Sequence, residues 1–206
     1  MNRIETIFSF IDEKDKVVDV GCDQAKLSKL LLTRNQSSIA SDISEKVIKK
    51  AKESINDSRI DFRVSNGLDK IYEGEADTLV LSGMGTHTII EILSNTNLRF
   101  KKIITISNNY HDILRNKMNN LGYIVSEEQI IKENNKYYNL ILFVNGTKNY
   151  SDSELLIGLN HKDKKLYIEY LNHLLKKYKL IKETSKDKNV KIDKMIEIIN
   201  DKLKTV

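Results

Sequence analysis

The chain has 206 residues, 40% of them hydrophobic and 31% charged, with a formal net charge of +5. That length holds one good core and a small appendage, and the mixture of charges is that of a soluble globular protein. No apolar run is long enough to cross a bilayer; a lone cysteine, Cys22, excludes an internal disulfide or a cysteine metal cage, and the four histidines show no metal spacing.

With no cleavage pattern in MNRIETIFSF, a reducing cytoplasm is the expected setting, with no membrane and no metal. Taken in order, KVVDVGC (16–22) reads as a short buried strand and AKLSKLLL (25–32) as a helix. SSIASDI (37–43) reads as strand and SEKVIKKAKESI (44–55) as helix, with Ser44 as N-cap. IDFRVSN (60–66) and DTLVLSGM (77–84) are strands, THTIIEIL (86–93) a helix, KKIITIS (101–107) a strand, and YHDILRNKMNNLG (110–122) a helix stopped by Gly122. Strands alternating with helices imply a parallel sheet covered on both faces. YIVSEEQIIKENNKYYNLILFVN (123–145) breaks the alternation, because two strands joined by Glu133-Asn134-Asn135-Lys136 leave no room for a helix. A hairpin cannot be parallel, so the sheet should end with one reversed strand.

Beyond Gly146 the pattern becomes wholly helical. Leu156, Leu159, Leu166, Tyr167, Tyr170, Leu171, Leu174, Tyr178 and Ile181 recur at helical spacing, as do Ile192, Met195, Ile196, Ile199 and Leu203. A polar stretch, 182–189, separates the two sets, so a coiled-coil-like helical hairpin over 149–206 should follow a body spanning 1–148. Residues 1–150 carry 21 basic and 20 acidic side chains and residues 151–206 carry 13 and 9, so the appendage supplies +4 of the +5. A basic appendage suits a polyanion such as RNA, and equally describes a solvated lysine-rich helix in a lysine-, asparagine- and isoleucine-biased chain.

In an open parallel sheet, ligands sit beyond the carboxyl ends of the strands, where strand order reverses. Each predicted strand ends in glycine or a short polar residue there: Asp19, Gly21, Cys22 and Asp23; then Ser41 and Asp42 with Ile43; then Ser65, Asn66 and Gly67; then Ser82, Gly83 and Met84. Singly, each could be a turn residue or, for Asp23, a helix cap. Asp42 stands where an acid can accept both hydroxyls of a ribose. The phosphate fingerprint G-x-G-x-x-G is absent, and Asp23 is poor company for a pyrophosphate. A phosphate-free, cationic adenosine fits better, and S-adenosylmethionine is one: its ribose suits Asp42, its ammonium the Asp19–Asp23 region, its adenine Asn66. A reversed strand in the sheet is also a mark of the Rossmann-like methyltransferase fold.

The order and spacing of DVGCDQAKLS, LSGMGT, Arg3-Ile4, Ser65-Asn66-Gly67-Leu68, Ile113-Leu114-Arg115, Glu127-Glu128-Gln129-Ile130 and Tyr138-Asn139-Leu140-Ile141 resemble the bacterial tRNA adenine-22 N1-methyltransferases. The resemblance covers nearly the whole chain, the helical hairpin included. Gln24, Lys26 and Ser28 depart from the family's His, Tyr and Pro, Asn66 from its Asp, and Thr86 from its second Gly. The resemblance implies a class I, S-adenosylmethionine-dependent enzyme that transfers a methyl group to N1 of an unpaired adenine in tRNA, acting as a monomer. It implies Arg3 and the strand-end residues as cofactor contacts, and Asp23, Ser82 and Met84 beside the reacting atoms. For RNA it implies Lys26, Lys162, Lys165, Lys176 and Lys177 on phosphates, with Tyr110 either stacking on an extruded base or packing. The alternatives are a methyltransferase acting on a small molecule or a protein, in which the hairpin serves dimerisation, and a silent fold that binds RNA. The missing phosphate loop makes an NAD-dependent oxidoreductase the poorest fit.

Overall fold

The computed structural model describes residues 1–159, 161–184 and 190–206. Helix α1 (Arg3–Ser9) opens on a capping box in which the Asn2 side chain accepts from the Glu5 amide and the Glu5 carboxylate accepts from the Asn2 amide. There follow β1 (Val17–Val20), α2 (Lys26–Leu32), β2 (Ser38–Asp42), α3 (Glu45–Ile55), β3 (Ile60–Val64), β4 (Thr78–Ser82), α4 (Thr86–Ser94), β5 (Lys102–Ser107) and α5 (His111–Asn120). The hairpin β6 (Tyr123–Glu133) and β7 (Lys136–Asn145) completes a seven-stranded sheet of order β3-β2-β1-β4-β5-β7-β6. Asn134 and Asn135 turn that hairpin with φ of 50° and 59°, the left-handed conformation that a two-residue turn needs and asparagine tolerates.

β1 to β5 are mutually parallel, and β7 runs against both β5 and β6. The single reversed strand is therefore present, but it lies inside the sheet and β6 forms the edge. The apolar runs of β1 and β4 are buried from both sides, as central parallel strands must be. Val18, Val20, Leu79 and Leu81 meet Ile89 and Leu93 of α4 and Leu114 and Met118 of α5 on one face. Val17 and Val80 meet Ile7 of α1 and Leu27 and Leu31 of α2 on the other, where α3 packs Ile48 and Ala51 on Ala40. Burying each such side chain contributes about 1.5–3 kcal/mol.

The C-terminal segment holds three helices rather than two: α6 (Asp152–Ile157), α7 (Lys164–Thr184) and α8 (Val190–Thr205). Leu156 falls on α6 and Leu159 in the link after it, so the first hairpin helix begins later than the periodicity implied. Of the polar stretch 182–189, α7 takes residues up to Thr184 and 185–189 lie outside the described residues. Ile157, Tyr167, Tyr170, Leu171 and Ile199 form a cluster on Ile130 of β6, so Tyr167 and Tyr170 are core rather than stacking surfaces.

A buried ion pair fastens this cluster to the sheet. Arg115 of α5 donates from Nε to Glu128 Oε1 (2.6 Å), from Nη2 to Glu128 Oε2 (3.0 Å) and from Nη1 to the Leu155 carbonyl (2.5 Å). Both side chains are fully buried. Gly158 follows α6 at φ +81°, and a Cβ there would stand 2.0 Å from Glu128 Oε2. Removing one partner of such a pair strands a buried charge at a cost of about 3–5 kcal/mol. Arg115→Ala is therefore expected to lower unfolding free energy by that amount in urea denaturation; a loss below about 1 kcal/mol would show that the pair does not hold the joint.

Candidate active site

Strand order reverses between β1 and β4: the chain leaves β1 for α2 on one face and β4 for α4 on the other. The crevice this opens beyond their carboxyl ends holds a cavity of about 470 Å³. Gly21, Asp42, Ile43, Ser65, Asn66, Gly67 and Met84 line it, together with Leu68 and, from α4, Thr88, Glu91 and Ile92. Seven of the residues singled out at the strand ends thus share one wall.

Two of the glycines are fixed by space as well as conformation. Gly21 has φ +78°, and a Cβ there would lie 2.8 Å from Met84 Cε, so the loop after β1 and the loop after β4 touch. Gly67 has φ +54°, with Ile92 Cγ1 3.1 Å from where a Cβ would stand. The amides of Gly21 and Cys22 both donate to the Ser41 carbonyl, at 2.8 and 3.0 Å, tying the β1 loop to β2.

At the end of β2, Asp42 Oδ1 accepts from the Ser44 amide at 2.9 Å, while Oδ2 has no partner among the described residues. Ile43 beside it is 69% exposed, an apolar surface left open at the cavity wall. Ser65 is a turn organiser: its hydroxyl donates to the Gly67 carbonyl (3.0 Å) and accepts from the Lys70 amide (3.1 Å). Asn66 is exposed, with its side-chain amide turned to no residue of the described chain.

Asp19, Cys22 and Ser41 stand behind the wall rather than on it. Asp19 is buried in β1; burial first, and the charge of Asp42 second, raise its pKa to about 7. Burial pushes the Cys22 thiol up to about 12, so it packs beside Ala25 and Ala40 and supplies no thiolate. The Ser41 hydroxyl is fully buried, with no hydrogen-bond partner among the described residues. Asp23 is exposed at φ 47°, and it does not cap α2: that position falls to Ala25, itself left-handed at φ 49° and without a side-chain bond. Two non-glycine residues in this region of backbone space mark a strained loop.

Arg3 lies away from the cavity. Its Nε donates to Glu133 at 2.7 Å and its guanidinium sits 4.3 Å from the centre of the Tyr138 ring, at the β6–β7 hairpin. Lys26 is exposed on the first turn of α2, and Lys165, Lys176 and Lys177 are exposed on α7. Lys162 pairs with Glu127. Of the positions that depart from the resembled family, Ser28 is buried and accepts from the Ser38 hydroxyl at 2.9 Å, whereas Gln24 is exposed.

Ser82 and Gly83 approach the cavity from the β4 end without lining it. Asn108 fixes this turn: its amide donates to the Met84 carbonyl (3.1 Å) and its Nδ2 to the Gly83 carbonyl (3.0 Å). The buried Thr86 hydroxyl donates to the Asn109 carbonyl. Asn108 and Asn109 escape a reading of the first four strand ends, yet the fifth end, Ser107-Asn108-Asn109-Tyr110, carries the same kind of polar signal. The ring of His87 lies 5.8 Å from that of Tyr110. His111 offers no general base, since burial first and the Arg115 charge second lower its pKa to about 4. Among the described residues, no group of three or more His, Cys, Asp or Glu could hold a metal ion.

A sheet of this order with one reversed strand, and a phosphate-loop-free cavity at its switch point, define the class as a Rossmann-like methyltransferase fold. The chain belongs to the methyltransferase-domain family, whose model matches residues 1–141. Among curated proteins, the tRNA (adenine(22)-N(1))-methyltransferase of Bacillus subtilis (strain 168) is 28% identical over 149 residues, covering 68% of this chain and 63% of that protein. The match thus spans under two-thirds of the relative's length. The structure of M. capricolum TrmK in complex with S-adenosyl-homocysteine superposes with a TM-score of 0.86 at 25% identity, covering 100% of this chain and 98% of that one. The B. subtilis m1A22 tRNA methyltransferase TrmK gives 0.78 at 21% identity, over 98% and 95% of the two chains. A ribosomal protein L11 methylase from Lactobacillus delbrueckii subsp. bulgaricus gives 0.59 at 13% identity over 69% and 77%, a likeness of fold alone.

The raised Asp19 has a consequence for stability. The folded state holds this proton more tightly than the unfolded chain, whose carboxyl titrates near 3.8, so Asp19 favours folding in acid and that advantage is lost as pH rises through about 7. Asp19→Asn is expected to gain stability over the parent between about pH 5 and about pH 8 in urea titrations; parallel pH profiles would contradict the shift.

Proposed function

We propose that this chain is an S-adenosylmethionine-dependent methyltransferase that methylates N1 of adenine 22 in tRNA. The observation that carries the reading is the composition of the switch-point cavity: the open oxygen of Asp42, the bare apolar surface of Ile43 and the free amide of Asn66 on one wall. Together these offer a hydroxyl acceptor, a flat apolar contact and a base-edge partner, in the order a ribose and its adenine would need them. The left-handed Gly21 loop, with the exposed Asp23 two residues on, fits a cationic amino-acid tail and is poor company for a pyrophosphate. The names of the B. subtilis and M. capricolum relatives support the same reading of cofactor product and target.

When bound, the cofactor supplies a sulfonium methyl group, which the N1 lone pair of adenine takes as the carbon–sulfur bond breaks. The nucleophile is neutral and needs no prior deprotonation, so the reaction calls for no general base. What remains for the protein is alignment. Asp42, Asn66 and Gly67 would fix the nucleoside; Gly21 and Met84 would bring the methyl-bearing end against the β4 turn; Ser82 and Asp23 would face the incoming base. In this reading residues 1–148 carry the chemistry. Residues 149–206 present Lys165, Lys176 and Lys177 to the phosphates of tRNA, contacts that position without reading sequence.

Mass analysis of nucleosides from tRNA incubated with protein and S-adenosylmethionine should show N1-methyladenosine mapping to position 22; unmodified tRNA would contradict the proposal. Asp42→Asn keeps the bond to the Ser44 amide and removes the charged acceptor. It should weaken S-adenosylhomocysteine binding by calorimetry about 10- to 100-fold, the loss expected for hydrogen bonds to a charged group. Unchanged affinity would remove Asp42 from the ribose.

A further inference from the structure

Resting on the methyltransferase reading, we infer that His87 and Tyr110 form the platform on which the target base stacks once it has left its helix. Tyr110 occupies the N-cap position of α5 at φ 50°, where an asparagine or aspartate would relieve strain and cap the helix, yet it makes no cap bond. Its ring is 54% exposed, so the core does not hold it there either. Neither local structure nor packing accounts for a strained, solvent-facing aromatic.

What does hold the segment is the turn after β4. Asn108 bonds the carbonyls of Gly83 and Met84, and the Thr86 hydroxyl bonds the Asn109 carbonyl. These ties lock the two loops into one frame and set the Tyr110 ring 5.8 Å from that of His87, tilted by 56°. His87 precedes Thr88, which lines the cavity, and Met84 of the same turn reaches the Gly21 loop. Thr86 is one of the chain's departures from the resembled family, so the frame is built by this sequence's own residue.

The same bonds fix the Gly83 and Met84 carbonyls on the turn, and each keeps a second lone pair for a further donor such as an adenine amino group. Capture of the ring itself falls to the exposed His87–Tyr110 pair beside that turn. Stacking on an aromatic ring is the interaction that captures an unpaired base without demanding a particular hydrogen-bond edge. Both residues are positioning residues: they hold the ring so that N1 meets the methyl group, and they touch neither sulfur nor cofactor ribose.

The test pairs a protein change with an RNA change. Tyr110→Asn removes the ring while suiting the left-handed backbone, Tyr110→Phe keeps the ring, and tRNA with an abasic position 22 removes the base. In the presence of S-adenosylhomocysteine, the parent and Tyr110→Phe should bind intact tRNA about tenfold more tightly than abasic tRNA, whereas Tyr110→Asn should discriminate less than twofold. With intact tRNA and S-adenosylmethionine, kcat/KM should fall about tenfold or more in Tyr110→Asn, fall less in His87→Ala, and recover in Tyr110→Phe, with S-adenosylhomocysteine affinity unchanged in all three. Equal discrimination by parent and Tyr110→Asn, or no discrimination by the parent, would overturn the platform even if methyl transfer to adenine 22 is observed. Discrimination without methyl transfer would keep the platform and sink the enzymatic reading.

Discussion

The structure depends on the contact between two loops at the point where the sheet changes direction. β1 and β4 are neighbours, but their connections leave for opposite faces, so their carboxyl ends must part. Gly21, without a side chain, lets Met84 come close across the gap. A Cβ at Gly21 would both strain its backbone and collide with that methionine. From this contact the cavity extends along β2 and β3 on one side and along α4 on the other. Asp42, Asn66 and the β1 loop reach it from strand ends, and Thr88 and Glu91 from α4.

The second constraint is the joint at Arg115 and Glu128, which fastens α6 and the helices after it to the far edge of the sheet. The pair adds one fixed geometry to the apolar cluster around Ile130. The Leu159 amide also donates to Glu128 Oε2, at 3.3 Å, and Gly158 leaves room for that oxygen. This mount fixes the lysine-rich helices relative to the sheet that carries the rim.

Much of this was legible in the sequence, for physical reasons. Buried parallel strands must be short and continuously apolar, so VVDV and TLVL announce themselves, and the acids and glycines after them are conspicuous because so little else is polar there. The hairpin was legible from its paired asparagines. The place of β7 inside the sheet was not, because pairing with β5 is a long-range choice that no local pattern records. Helix α6 is too short for periodicity to mark it. Arg115 and Glu128 stand in two of the quoted motifs, but nothing in the sequence marks them as a buried pair, since burial of an ion pair depends on what folds over it. Asp23 offered itself as a cap, but the helix is entered two residues later, at Ala25. His87 and Asn108 passed as polar residues because their significance lies in a meeting of two loops.

The most direct test is a crystal of the protein soaked with S-adenosylhomocysteine. The account predicts density along the wall formed by Gly21, Asp42, Ile43 and Asn66, with the ribose hydroxyls on the open oxygen of Asp42 and the sulfur toward Met84. Density bound elsewhere, or a rim closed by its own side chains while the ligand binds in solution, would contradict it.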